Sequence, residues 1–334
     1  MEIADRVATP KLQGHHQMVM HLRNYLNNRI IGQTALIDRT LIALLCGGHL
    51  LVEGAPGLAK TSAIKELATG INASFHRIQF TPDLLPGDLT GTEIFRPKAG
   101  QFEFQAGPLF NNLVLADEIN RASAKVQSAL LEAMEEKQIT IGRETYALPD
   151  LFMVMATQNP IEQEGTFPLP EAQLDRFLLY VKVDYPSADV ERQILILNRE
   201  LAAHAGNTPH KPPFKMAPEI IFAIRQQLFI LHMSPMVEEY LVQLVLATRQ
   251  PQAYDASLAG CIRFGASPRA TIGLDKAARA HAWLAGRDFV SPADIHAVLP
   301  DMLRHRILLS YEAEAEGMSS DEVIQRLIQI VPVP

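Results

Sequence analysis

Residues 54–61 read Gly-Ala-Pro-Gly-Leu-Ala-Lys-Thr, directly after the apolar run His49 to Glu53 and directly before Ser62 to Thr69, which is patterned as a helix. Glycines at 54 and 57 let the backbone curl and aim its N–H groups at one place, and the helix that follows adds the positive end of its dipole. The cradle formed by Gly54, Ala55, Pro56, Gly57, Leu58, Ala59, Lys60, Thr61 and Ser62 suits phosphate oxygens. In the G-x-x-x-x-G-K-[ST] pattern the lysine, here Lys60, reaches the β and γ phosphates, and the hydroxyl, here Thr61, ligates Mg²⁺. Ala59 departs from the pattern, standing where its last glycine is expected. Alanine is unstrained at negative φ, so the loop is expected to form on condition that Ala59 is not left-handed.

A strand, loop and helix of this kind call for a parallel sheet around them. Five runs of four to seven residues supply it: His49 to Glu53, Phe75 to Phe80, Leu113 to Ala116, Phe152 to Thr157 and Phe177 to Val183. Each is rich in Leu, Val, Ile or Phe, and helical patterns alternate with them, which predicts an α/β domain with helices on both faces of the sheet. A helix over Thr34 to Cys46 carries Leu36, Ile37, Leu41, Leu44 and Leu45 on one stripe. Between the strands, 92–105 and 138–148 read as hairpins, with turns at Pro97-Lys98-Ala99-Gly100 and Gly142-Arg143-Glu144. Residues 207–214, including Thr208-Pro209 and Pro212-Pro213, read as a linker, because proline continues neither helix nor strand there. Beyond it the pattern is helical, with Ser267-Pro268 and Ser291-Pro292 as helix starts and Gly286 as a stop. The expected organisation is an α/β core over 1–206, a linker over 207–214 and a helical domain over 215–334.

Leu113-Val114-Leu115-Ala116 runs straight into Asp117-Glu118. Two adjacent carboxylates repel one another unless a cation is near, which fits a metal site at the strand's end. Asp117 is placed to hold Mg²⁺ through water and Glu118 to polarise the attacking water as general base. The strand Phe152 to Thr157 ends in Gln158-Asn159-Pro160, where Asn159 either orients that water or starts a turn. Glu132, Glu135 and Glu136 fall on the helix after the acidic pair and read as a solvated face.

Composition narrows the class further. Of 334 residues, 48% are hydrophobic and 20% charged, which places the chain among globular proteins. No run approaches the roughly 18–20 apolar residues of a membrane span. The first ten residues lack the apolar core of a signal peptide, so a cytoplasmic location is expected. The formal charge of −7 disfavours nucleic acid as main partner. Cys46 and Cys261 read as small buried hydrophobes, and His15 and His16, without spaced partners, as surface histidines.

Taken together with Leu174-Asp175-Arg176-Phe177 and Ser267-Pro268-Arg269, these motifs resemble the AAA+ ATPases and most closely their MoxR family, from about Leu22 to Arg306. The segments that carry the resemblance are Gly48 to Thr61, Asp117-Glu118-Ile119-Asn120-Arg121, Ala156-Thr157-Gln158-Asn159-Pro160 and Leu169 to Phe177. The resemblance implies ATP and Mg²⁺ as ligands and makes alanine usual before the loop lysine. It implies Asn159 as sensor 1, Arg269 as sensor 2 on a helical lid, and Arg176 as an arginine finger acting on ATP held by a neighbouring subunit. Read without it, Arg176 is a surface or ion-paired arginine and Arg269 an exposed first-turn arginine. It also implies backbone contacts from Ile31 and Gly32 to adenine, and hairpins turned toward a central channel or a partner-binding face.

The function expected from the resemblance is a ring-forming ATPase, a hexameric homo-oligomer, that couples hydrolysis to remodelling or maturation of a client protein, including metal or cofactor insertion. A separate von Willebrand factor A domain protein is the expected adaptor. Three alternatives stand beside it: a nucleotide-gated scaffold without productive hydrolysis, a DNA-remodelling AAA+ ring, and a small-molecule kinase.

Overall fold

The computed structural model describes residues 10–98, 100–160, 165–203 and 215–333. The linker read at 207–214, and nearly all of the segment on which the expectation about export rests, lie outside them. The chain divides into two compact units, Arg23–Pro218 and Glu219–Pro334, the latter grouping with the N-terminal stretch that ends at Leu22.

In chain order the first elements are α1 (Pro10–Arg29), α2 (Thr34–Cys46), β1 (Leu50–Gly54), α3 (Lys60–Gly70), β2 (Phe75–Gln79) and α4 (Pro86–Thr90). There follow β3 (Gly91–Arg96), β4 (Gln101–Ala106), β5 (Leu113–Asp117), α5 (Ala124–Glu136), β6 (Gln138–Ile141), β7 (Glu144–Ala147), β8 (Met153–Gln158), α6 (Glu171–Leu174), β9 (Leu179–Val183) and α7 (Ala188–Ala203). The five apolar runs form one parallel sheet in the order β2-β5-β8-β1-β9. Every residue of β5 is buried, as is all of β8 but its last residue. That explains why these strands read as unbroken apolar runs: a parallel strand covered on both faces has no polar side. On α2, Leu36, Ile37, Leu41, Leu44 and Leu45 are all buried, and Gly47 closes the helix at φ 68°.

The register sets the site. Glu53 of β1 lies beside Gln158 of β8, and Ala116 of β5 beside Ala156 of β8. Gly54, Asp117 and Asn159 therefore emerge together at the carboxyl ends of three neighbouring strands, where parallel sheets bind ligands.

Both expected hairpins are present. β3 and β4 pair from Gly91↔Ala106 to Arg96↔Gln101, and β6 and β7 from Gln138↔Ala147 to Ile141↔Glu144. Glu144 is thus paired, and the second turn is the dipeptide Gly142-Arg143, with Gly142 at φ 61°. Phe104 stacks on Tyr146 with ring centroids 4.0 Å apart, joining the two hairpins. Phe95 and Phe102 face each other on the first hairpin and are exposed.

The second unit contains α8 (Pro218–Phe229), α9 (Pro235–Ala247), β10 (Ile262–Phe264), α10 (Pro268–Leu284), α11 (Pro292–Leu303), β11 (Leu308–Leu309), α12 (Tyr311–Ala315) and α13 (Ser320–Ile330). To the helical pattern it adds one short antiparallel pair, β10 with β11. Ser267 caps α10 by accepting from the Arg269 N–H, Ser291 and Asp294 form a capping box on α11, and Gly286 sits beyond α10 at φ 76°. The fully buried Asp294 carboxylate accepts from Arg287, from Ser291 and from Nδ1 of His281 at 2.7 Å.

Three smaller expectations are corrected here. His15 and His16 are not plain surface residues: His15 bonds Gln227 at 2.8 Å, and His16 packs edge-on against Trp283 and bonds the Leu284 carbonyl. Cys46 and Cys261 are partly exposed, each lying at the margin of an element where packing is incomplete. Glu135 is not merely solvated, because its carboxylate meets Arg176 at 2.9 Å.

Candidate nucleotide site

The phosphate loop leaves β1 at Gly54 and enters α3 at Lys60. A Cβ on Gly54 would stand 2.7 Å from the Val183 carbonyl oxygen, so the close approach of β9 requires glycine. Gly57 turns the loop at φ 85°. Ala59 is at φ 58°, in the left-handed region, so the condition that it avoid this region is not met. The loop forms nonetheless, at a local cost of about 1 kcal/mol for an alanine held there. Pro56, Gly57 and Ser62 are exposed, Ala55 and Leu58 buried, and Thr61 partly buried on the first turn of α3. The Lys60 ammonium folds back to donate to the Gly54 carbonyl. Burial pulls its pKa below the usual value, while Asp117, Glu118 and Glu53 pull the other way. The loop lysine and the acidic pair thus belong to one electrostatic site.

Thr157 organises the acidic pair. Its buried hydroxyl donates to Asp117 Oδ1 at 2.6 Å and accepts from the Glu118 N–H at 2.9 Å. Asp117 Oδ2 also accepts from Nη2 of Arg77 at 2.7 Å and Nε at 3.0 Å. Gln79, one strand position on from Ile78, donates to Glu118 Oε2 at 2.7 Å, and Arg121 reaches the same oxygen at 3.1 Å. Glu118 itself sits at φ 57°, ψ 50°, a conformation uncommon outside glycine, and its N–H bond to Thr157 helps hold it there. The repulsion expected between the two carboxylates is therefore offset by the protein's own cations. Arg77 and Gln79 were not singled out from sequence, and Arg121 and Thr157 stood there only within the motif segments, with no role assigned.

The other candidates fall in different places. Asn159 is buried immediately beyond β8. Ile31 and Gly32 lie in the turn before α2, where Gly32 has φ 81° and a Cβ would strike Val190 Cγ1 at 2.3 Å, so α7 backs this turn closely. Arg176 follows α6 and is engaged with α5, donating to the Leu131 carbonyl at 2.6 Å and to Glu135 at 2.9 Å. Arg269 is exposed in the first turn of α10, in the helical unit.

The donors suit a hard cation. Thr61 offers a hydroxyl and Asp117 a carboxylate beside the phosphate cradle, an oxygen-only set that matches Mg²⁺, which binds one or two protein oxygens and completes its shell from phosphates and water.

The loop, the acidic pair and the sheet order define a P-loop ATPase core, and comparison with known proteins assigns its class. The family described as "ATPase family associated with various cellular activities (AAA)" matches residues 49–179, and the AAA lid domain matches 255–327. The protein "Chaperone MoxR1" of Mycobacterium tuberculosis is 45% identical over 306 residues, covering 91% of this chain and 79% of its own. "Protein MoxR" of Paracoccus denitrificans is 34% identical, covering 92% and 94%. A crystal structure from Cytophaga hutchinsonii, described provisionally as an ATPase, superposes with a TM-score of 0.88 at 43% identity and 97% coverage of both chains. The chain belongs to the MoxR family of AAA+ ATPases, and its activity is ATP hydrolysis. Among the described residues no helix is long and apolar enough to cross a membrane.

Proposed function

We propose that the chain works as a ring, hexameric in form, that uses ATP hydrolysis to remodel or mature a client protein in the cytoplasm. Supporting it most directly is the Thr157 junction, which fixes Asp117 and Glu118 side by side at a strand end whose charges are felt by Lys60. In this reading the loop N–H groups and Lys60 hold the phosphates, Ile31 and Gly32 meet the adenine, and Thr61 with Asp117 holds Mg²⁺. When bound, Mg²⁺ would neutralise charge developing on the phosphates. Glu118 takes a proton from the attacking water, and Asn159 orients that water. Arg269 reports the γ-phosphate to the lid, and Arg176 completes the site of the next subunit.

The chaperone role is supported by the name of the Mycobacterium relative. Metal or cofactor insertion into the client, and a separate von Willebrand factor A domain adaptor, are the finer parts of this proposal. Organising the domains as an α/β core, a linker at 207–214 and a lid fits motion of the lid when γ-phosphate contacts are made and lost.

The test is assembly. Light scattering of Glu118→Gln with ATP and Mg²⁺ should show a single species of about six subunits. Arg176→Ala should still assemble and bind ATP but lose hydrolysis by a factor of about 10³ or more. A monomer that turns over ATP at the full rate contradicts the ring.

A further inference from the structure

The loop that carries Glu118 and the segment that presents Arg176 are fastened to each other, and one side chain makes the joint. Gln127, fully buried on the first turns of α5, leans back toward the helix start, as helical side chains do. Its Nε2 faces three carbonyls: Ile119 at 3.2 Å, Ala122 at 3.1 Å and Phe167 at 2.9 Å. The first two belong to the turn that follows Glu118, and the third lies nine residues before Arg176 on the other strand of the joint. A second bond runs beside it, from the Phe167 N–H to the Asn120 carbonyl at 2.6 Å.

Beyond Phe167 the same helix keeps hold of the chain. Gln173 donates to Ser128 at 3.3 Å, and Arg176 grips Leu131 and Glu135. Residues 127, 131 and 135 recur at i, i+4 and i+8, so they form one stripe on α5. The stripe starts beside the turn after Glu118 and ends under Arg176. Gln127 Oε1 has no hydrogen-bond partner among the described residues, although it is buried. An apolar side chain of the same length would remove that orphaned oxygen, but it would also take the donor away from the Ile119, Ala122 and Phe167 carbonyls, so it is the amide NH2 that makes the joint.

We infer that Gln127 is a positioning residue that ties the Glu118 loop to the Arg176 segment, so that the state of one subunit's own site sets how it presents Arg176 to its neighbour. The inference rests on the reading of Arg176 as a finger acting in trans. It gives Gln127 an effect on a nucleotide it does not touch.

The experiment dopes wild-type subunits with increasing fractions of subunits that cannot hydrolyse their own ATP, and reads phosphate release per wild-type subunit. Three dopants are compared: Glu118→Gln, Glu118→Gln with Arg176→Ala, and Glu118→Gln with Gln127→Met. Methionine keeps the length and removes the donor. Matched melting temperatures and ATP affinities of the dopants confirm folding. The inference predicts that the Gln127→Met dopant depresses its neighbours to within about two-fold of the Arg176→Ala dopant, while Glu118→Gln alone depresses them far less. If Gln127→Met does not fold, Phe167→Pro removes the parallel N–H bond at an exposed position and takes its place with the same expectation. Depression no greater than that of Glu118→Gln alone overturns the inference. If the Arg176→Ala dopant also matches Glu118→Gln alone, the finger reading itself falls, and this inference falls with it.

Discussion

The Thr157 hydroxyl donates to the Asp117 carboxylate at 2.6 Å, and through the same oxygen it accepts from the residue that follows Asp117. One buried hydroxyl thus aligns the proposed metal carboxylate with the proposed base. Thr157→Val keeps the shape and removes both bonds, leaving the Glu118 N–H without its partner. It should destabilise the core unit by about 1–3 kcal/mol and lower kcat more than it raises KM. Denaturant unfolding with steady-state kinetics checks both, and unchanged kcat in a folded variant contradicts the alignment role.

Ala59 holds a left-handed conformation that glycine adopts freely. Ala59→Gly should therefore stabilise the folded chain by no more than about 0.5 kcal/mol, because the added freedom of the unfolded chain offsets much of the relieved strain. A higher midpoint in urea is the expected result, with the Gly54 to Thr61 loop still binding ATP. A lower midpoint would show that Ala59 is unstrained.

His49 immediately precedes β1 and is buried, with Nδ1 accepting from the Val154 N–H at 3.0 Å and Nε2 bonded to the Met134 carbonyl at 3.2 Å. Burial is the main cause that lowers its pKa from the usual 6.5 to about 4. On acidification the unfolded chain takes the proton first. The stabilisation present above pH 6.5 is therefore lost as pH falls through the window toward 4, on the order of 2 kcal/mol by pH 5. Unfolding of the wild type against His49→Gln at pH 7 and pH 5 isolates this contribution. Equal pH dependence in the two proteins would remove His49 as its source.

In the helical unit Asp294 is buried between Arg287, His281 and the capping Ser291. These donors hold its carboxyl well below the usual carboxylate range despite burial, which alone acts to raise it. Asp294→Ala leaves Arg287 and the α11 cap without their acceptor and should cost about 3–5 kcal/mol. Thermal unfolding checks this, and a loss below about 1 kcal/mol would mean that solvent replaces the lost acceptor.

Much of this site could be read from sequence because its parts are local. The phosphate loop is a contiguous segment whose glycines have backbone reasons, and the acidic pair ends an apolar run long enough to be a buried strand. The hairpins announced themselves through Gly100 and Gly142. What escaped was formed by distant segments. Arg77 and Gln79 alternate with Ile78 on an edge strand and read there as plain solvent-facing residues, yet strand pairing brings them to Asp117 and Glu118. Thr157 reads as one more β-branched strand residue, and Gln127 as one more polar helix position. Only the sheet register and the return of the chain past α5 give those side chains their partners. The strain at Ala59 was missed for a different reason: residue type shows which conformations are easy, not which one packing imposes.

The central claim is that ATP held by the loop at Lys60 is cleaved by water activated at Glu118. The measurement that tests it most directly is phosphate release by Glu118→Gln, made alongside ATP affinity on the same sample. The account predicts affinity within about two-fold of wild type and turnover reduced by about 10² or more. Turnover equal to wild type in that variant would contradict it.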